Sequence, residues 1–360
     1  MNFLRPQLFI SCLVLLFYFL TSCSLFTSDG KIEADDPHII YEGRFDFSDP
    51  KNPRFDWPGS SIHAVFEGSH ISVILNDGNN DYNIFIDGKL ETILRTDSSE
   101  VYNISDSLSP GKHRITITKR TEGIFGIATF GGFILSEGKT LHPLALRRNR
   151  RMEFIGDSFV AGFGSDGKSP DCEFSRETEN NFIAYGPVLA RKLKAYCNII
   201  AVSGIGITRN YGDSTRSSSV AMPYHYNKTC FNDLLEWDFS KYQPDVVVIR
   251  LGRNDYWSKP FPKRADFRTA YLEFLKYVRS KYPKANIFAL CGPIRKDPHC
   301  DYIKSAVNEI NDKKIYFVKL DVNLKRPGDF GCQYHPNKSG HEKIASFLEP
   351  IIREKTGWKW

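Results

Sequence analysis

The stretch Arg151-Met-Glu-Phe-Ile-Gly-Asp-Ser-Phe-Val-Ala-Gly162 decides how this chain is read, because the local pattern changes abruptly within it. Met152 to Ile155 read as a short buried strand. Gly156-Asp-Ser158 breaks the run, and the small or polar residues that follow suit a turn into a helix. A serine at a strand's carboxyl end, beside a glycine that lets the backbone turn sharply, presents its hydroxyl in the crevice where open α/β sheets bind ligands. Ser158 is thus a candidate nucleophile. Asp and Ser at a helix mouth are also ordinary caps, so the tripeptide alone does not decide.

Downstream, strand candidates (Asn198 to Val202, Asp245 to Leu251, Asn286 to Cys291, Ile315 to Lys319) are separated by amphipathic stretches (Asn181 to Ala195, Ala265 to Lys281, Asp301 to Asn311, Ser339 to Glu354). Such alternation predicts a parallel sheet covered by helices on both faces, with its site at the strands' carboxyl ends. Three further groups stand in suitable places: Ser203-Gly-Ile-Gly206, Gly252-Arg-Asn-Asp255 and Tyr334-His-Pro-Asn337. Glycine turns, an Asn-Asp cap and a His-Pro helix start explain each one singly. Their order and position argue jointly for one site.

Upstream, Ile39 to Leu135 reads as many short strands, with no helical period among them. Ser61 to Phe66, His70 to Leu75, Tyr82 to Ile86, His113 to Lys119 and Ile127 to Leu135 are separated by turn residues such as Asn76-Asp-Gly78 and Pro110-Gly111. A β-sandwich of jelly-roll type is the packing this predicts. Trp57, Tyr82 and Phe125 could stack on a sugar, although aromatics more commonly fill a core or a seam.

The chain has 360 residues, 41% hydrophobic and 25% charged, enough for two globular domains with sizeable cores. The net charge of +6 is spread without long runs and accompanies no zinc-finger or RNA-binding signature, so nucleic acid is not an expected partner. At the N-terminus, Arg5 precedes an apolar run from Leu8 to Leu20, of the size of a signal-peptide core. Leu20-Thr-Ser-Cys23 closes it and resembles the lipobox of bacterial lipoproteins, which implies lipid attachment at Cys23 and a membrane-anchored, exported protein on the periplasmic or cell-surface face of the envelope. Expected boundaries are a signal peptide over 1–22, a tether over 23–38, the sandwich over 39–140, a linker over 141–150 and the α/β domain over 151–360. In an oxidising compartment Cys172, Cys197, Cys230, Cys291, Cys300 and Cys332 can form disulfides, with no connectivity given by spacing. Nothing in their spacing resembles a zinc site, and no metal is expected.

Gly-Asp-Ser after one strand, a glycine turn after the next, Gly-x-Asn-Asp after a third and His-Pro before the last helix together resemble the SGNH, or GDSL, hydrolase superfamily. Gly43-Arg-Phe-Asp46, Phe55-Asp-Trp-Pro-Gly-Ser60, Asp87-Gly88, Lys119-Arg-Thr-Glu122 and Phe130 to Phe133 narrow this, being similar to carbohydrate esterase family two. That resemblance implies a jelly roll joined to a three-layer α/β/α SGNH domain, and removal of acetyl groups from sugar hydroxyls of polysaccharides or oligosaccharides without a cofactor. It implies Ser158 as nucleophile and His335 as base, with the Ser158 and Gly204 N–H groups and the Asn254 amide as oxyanion donors. The superfamily's usual Asp, three residues before the histidine, is replaced by Cys332. A Ser-His dyad is therefore expected, with Asp329 as an alternative orienting carboxylate. Tyr256 and Trp257 are candidates to line the sugar subsite, while His341 is expected to support the fold. Gln333 and Tyr334 depart from the acidic and tryptophan residues expected before His-Pro. A sugar O-acyltransferase using the same site, or a glycan-binding envelope lipoprotein with an idle one, are the competing readings. A monomer is expected.

Overall fold

Short runs of β-branched and aromatic residues build the N-terminal half. The computed structural model describes residues 30–97, 99–146, 148–293 and 298–359; the expected signal peptide and Cys23 lie outside them. In chain order the first strands are β1 (Lys31–Ile32), β2 (Ile40–Glu42), β3 (Arg54–Phe55), β4 (Ser61–Glu67), β5 (Ile71–Asn76), β6 (Asp81–Ile86), β7 (Lys89–Arg95), β8 (Val101–Ser105), β9 (Lys112–Lys119), β10 (Ala128–Leu135) and β11 (Leu141–His142). One sheet runs β1-β10-β5-β8 with β3 also on β10, the other β11-β4-β9-β6-β7 with β2 also on β4. Strand pairs within both are antiparallel. Ile62, Ala64 and Phe66 of one sheet meet Val73, Leu75 and Phe133 of the other in a common apolar core, the sandwich expected.

Two boundaries need correction. Lys31 and Ile32 pair with Ile134 and Phe133, so part of the stretch expected to be a tether belongs to the sandwich. A two-residue strand is too short to show a period, and its polar neighbours concealed it. Likewise Leu141 and His142, expected in the linker, pair with Phe66 and Val65.

The second half comprises β12 (Arg150–Gly156), α1 (Ser158–Ala161), α2 (Tyr185–Lys192), β13 (Ala195–Ala201), α3 (Met222–His225), β14 (Val246–Arg250), α4 (Arg264–Lys281), β15 (Asn286–Cys291), α5 (His299–Ile310), β16 (Ile315–Lys319) and α6 (Lys338–Thr356). Its sheet, ordered β13-β12-β14-β15-β16, is parallel throughout. Successive residues of β14 serve opposite faces. Val247 and Ile249 pack with Phe267 and Leu275 of α4 and Ile303 of α5, whereas Val246 and Val248 pack with Leu189 of α2 and Ile344 of α6. A strand buried on both faces reads as a continuous apolar run, as Val246 to Ile249 does. The helix expected over 181–195 is shorter: a 3-10 turn spans Asn181–Ile183, and α2 ends before Lys194, whose φ of 52° is left-handed.

Register positions the site. Gly156 lies opposite Ala201 on one side and Arg250 on the other, so β12, β13 and β14 end at one level. The residues just beyond them, including Ser158, Gly204 and Asn254, therefore emerge along a single edge. The sandwich abuts the same unit: Trp57, fully buried, donates its indole N–H to the Thr229 carbonyl at 2.9 Å, and Asp56 accepts from the Phe231 and Asn232 N–H groups. Trp57 thus fills the seam and Tyr82 the sandwich core, rather than a sugar-binding face.

Candidate active site

The turn after β12 requires its glycine. A Cβ on Gly156 would lie 2.4 Å from Val160 Cγ2 and 2.7 Å from the Arg250 carbonyl oxygen. Asp157 caps α1, its Oδ1 accepting the Phe159 N–H at 3.1 Å. Capping and catalysis are compatible here, because the cap is Asp157 and the hydroxyl of Ser158 remains available. Asp157 is held in turn by Arg250, buried at the end of β14, whose Nη1 lies 2.5 Å from Asp157 Oδ1 and whose guanidinium covers the Phe159 ring at 3.7 Å. Arg250 carried no signal in the sequence beyond ending an apolar strand.

Opposite Ser158 stands His335. Its Nε2 is 2.8 Å from Ser158 Oγ, and its Nδ1 is 3.1 Å from the Gln333 carbonyl oxygen. A carbonyl only accepts, so Nδ1 carries the proton and Nε2 offers its lone pair to the serine hydroxyl. Burial pushes the imidazole pKa down to about 4; Arg250 adds to this, while hydrogen bonding at Gln333 and Cys332 opposes it. Phe159 and Phe163 flank the ring at centroid distances of 5.4 and 4.4 Å.

Asp329 does not orient this ring, which corrects the alternative raised above. Its Oδ1 accepts from Ser339 Oγ at 2.7 Å, and its Oδ2 from the Lys325 N–H at 2.6 Å and Lys343 Nζ at 2.5 Å. All its bonds serve the loop and the start of α6. Cys332, standing where the superfamily has Asp, is joined to Cys172. Cys291 is joined to Cys300, and Cys197 and Cys230 are free.

Across the serine, Gly204 has a left-handed φ of 77°, and the N–H groups of Ser158 and Gly204 meet no protein acceptor among the described residues. Asn254 is buried and donates its amide to the Ile205 carbonyl at 2.8 Å, which sets it against the same turn. Asp255 braces the next residues instead of capping a helix. It accepts the N–H groups of Ile207, Thr208 and Arg209, and burial raises its pKa to about 6 against their pull.

The two aromatic candidates separate. Tyr256 is buried against Phe267 and His299, so it packs the core and is withdrawn as a substrate-lining residue. Trp257 is half-exposed, with its ring 5.7 Å from that of Tyr211. Sequence reasoning missed Tyr211, whose N–H donates to the Gly204 carbonyl at 2.7 Å and whose exposed ring stands beside the donors. Its place in the loop opened by Ser203-Gly-Ile-Gly206 was the available signal. On the histidine side, Tyr334 is exposed, donates to Asp171 Oδ1 at 3.0 Å and carries Arg326 over its ring. Cys291, His299 and Cys300 bring potential ligand atoms within 4.8 Å of one another, but two of these are sulfurs joined in a disulfide.

Comparison with known proteins bears on this geometry. A family model described as carbohydrate esterase 2 N-terminal matches residues 41–144, and one for the GDSL-like lipase/acylhydrolase family matches residues 154–343. The chain is 37% identical over 336 residues to the cellulase/esterase CelE of Acetivibrio thermocellus, covering 91% of this chain and 40% of that protein, and so spans less than half of that relative's length. It is 28% identical to an acetylxylan esterase / glucomannan deacetylase of Cellvibrio japonicus, covering 86% and 87% of the two chains. The structure of a family two carbohydrate esterase from Clostridium thermocellum in complex with cellohexaose superposes with a TM-score of 0.83 at 34% identity, covering 89% of this chain and 100% of that one.

Proposed function

Since the chain belongs to carbohydrate esterase family two, we propose that it is a serine esterase removing O-acetyl groups from sugar hydroxyls of polysaccharides or oligosaccharides. The observation that carries the reading is the Ser158–His335 pair at 2.8 Å, with the imidazole tautomer set by a backbone carbonyl. His335 Nε2 takes the Ser158 proton as Oγ attacks the acetyl carbonyl. Negative charge then grows on the former carbonyl oxygen, where the Ser158 and Gly204 N–H groups and the Asn254 amide receive it. Collapse breaks the ester bond, and the proton passes from His335 to the departing sugar oxygen. Water, activated by the same imidazole, releases acetate from the acyl-enzyme. The mechanism is a dyad, with the Gln333 carbonyl in place of a carboxylate. Tyr211 and Trp257, exposed beside the donors, supply aromatic surface suited to a sugar ring.

Acetate release from 4-nitrophenyl acetate, acetylated xylan and acetylated glucomannan tests the reading. Turnover is expected for the mature protein and its loss for Ser158→Ala. A folded protein without turnover on any acetyl ester would overturn the reading in favour of a glycan-binding protein with an idle site. The Leu20-Thr-Ser-Cys23 stretch supports placing the enzyme, lipid-anchored, on the bacterial envelope. Palmitate labelling that survives Cys23→Ala would remove that placement.

A further inference from the structure

Behind the Ser203–Gly206 turn lies a group of fully buried charged side chains that the mechanism does not use: Lys119 and Glu122 from the sandwich, and Glu179 from the α/β unit. Glu122 Oε2 reaches across the seam and accepts the Ser203 N–H. Its main chain is fixed from both sides. Lys119 Nζ donates to the Thr121 and Glu122 carbonyls at 2.7 and 3.3 Å, and the Glu122 N–H donates to Glu179 Oε2 at 3.3 Å.

Burying two carboxyl groups near one lysine is unfavourable, and burial raises the pKa of both glutamates. What they hold explains the arrangement. Around the turn, Glu122 holds the Ser203 N–H, the Tyr211 N–H holds the Gly204 carbonyl, Asn254 holds the Ile205 carbonyl, and Asn210 Oδ1 accepts the Gly206 N–H at 3.0 Å. The Gly204 N–H alone among these neighbours is left without a protein partner among the described residues. Gly204 has a left-handed backbone that glycine adopts without cost, so the direction of its N–H depends on what holds the chain on either side: the Tyr211 N–H ties the peptide after it, and Glu122 ties the Ser203 N–H, in the peptide just before the one that carries the Gly204 N–H.

We propose that Glu122 is a positioning residue for the acyl transfer, reaching out of the sandwich to fix the Ser203–Gly204 turn so that the Gly204 N–H faces the developing oxyanion. The sandwich is then part of the active site's framework. This inference rests on the esterase reading above.

Its test is kcat and KM for 4-nitrophenyl acetate, per active site titrated with a serine-reactive fluorophosphonate, in wild type, Glu122→Gln, Glu122→Ala and Glu122→Met. A misplaced oxyanion donor should lower kcat about 10- to 100-fold in the Ala and Met variants with KM little changed. Gln, whose amide oxygen accepts the same N–H, should retain most of kcat. Counting only titrated sites removes unfolded protein from the comparison, and Met serves if the smaller Ala prevents folding. Unchanged kcat per titrated site in Ala or Met, or a Gln variant as impaired as they are, would overturn the role. A wild type without turnover would defeat the esterase reading itself, whereas an active wild type with an unaffected Ala or Met variant would defeat only this inference.

Discussion

His335 is the residue on which the proposed chemistry turns, and its surroundings set an expected pH dependence. Burial holds its pKa at about 4 against an ordinary 6.5, so the neutral, proton-accepting form persists well into acid. The kcat/KM for an aryl acetate should therefore stay level as pH falls below 6.5 and decline with a midpoint near 4. A midpoint near 6.5 would mean that the ring is solvated in the working enzyme. Stability runs the same way: the folded pKa lies below the unfolded one, so the unfolded state takes up its proton first, and stability is lost as pH drops from 6.5 through 4. Initial rates after brief exposure separate the two effects. Asn254 and Asp329 should respond to substitution in different ways. Asn254→Ala removes a proposed oxyanion donor and should lower kcat by about 10²- to 10³-fold. Asp329→Asn should leave kcat nearly unchanged and reduce stability by about 1–3 kcal/mol, through its bonds to Ser339, Lys325 and Lys343. A large fall in kcat for Asp329→Asn would restore it as the orienting group. Ser158 was legible because it sits at a change of pattern, whereas His335 was named only through the resemblance of its His-Pro to the superfamily's motif. Asp329 misled because sequence nearness to a histidine says nothing about which side of a loop a carboxylate faces.

At the scale of elements, the loop carrying His335 is shaped by contacts that no local pattern announces. Gln333 and Tyr334 have left-handed φ values of 50° and 60°, and their N–H groups donate to the Cys172 and Pro170 carbonyls at 3.1 and 3.3 Å. Gly331 and Gly167 are packed so closely that a Cβ on either would lie within 2.4 Å of Gly164 O or Cys332 N. The Cys172–Cys332 disulfide clamps this contact between segments 160 residues apart. Cys332→Ser should cost about 2–4 kcal/mol of stability. It should also lower kcat more than KM, because the carbonyl that sets the His335 tautomer belongs to the adjacent residue. An unchanged kcat in calorimetrically destabilised protein would show that the loop holds its shape without the bond. Spacing could permit disulfides but could not choose partners, since the choice is made by the fold. Strand legibility followed the same division: β4, β9 and the parallel strands showed their burial in their alternation or apolar runs, whereas β7, largely exposed or half-exposed, showed none.

Across the whole molecule, the sandwich grips β12, the strand that leads into Ser158. Arg44, fully buried, donates Nη1 to the Tyr226 and Lys228 carbonyls at 2.6 and 2.8 Å, and its Nη2 lies 3.5 Å from Glu153 Oε2 in the middle of β12. Its guanidinium also faces the rings of Tyr226, Trp237 and Phe239. Glu153 accepts in addition from Asn198, Tyr226 and Tyr282, so sandwich, sheet and helical layer converge on one carboxylate. The two domains were separable by pattern, but their seam was not, because its charged residues look like surface until a partner covers them. Arg44→Ala leaves Glu153 buried without its cation and two carbonyls without a donor. Removing one partner of such a pair costs about 3–5 kcal/mol. Because the loss falls on both domains at once, wild type and variant should each unfold in a single calorimetric transition, the variant at a lower temperature. Two separated transitions in the wild type would show that the domains fold independently. A loss well below 1 kcal/mol would show that the Glu153 site relaxes around an empty arginine pocket.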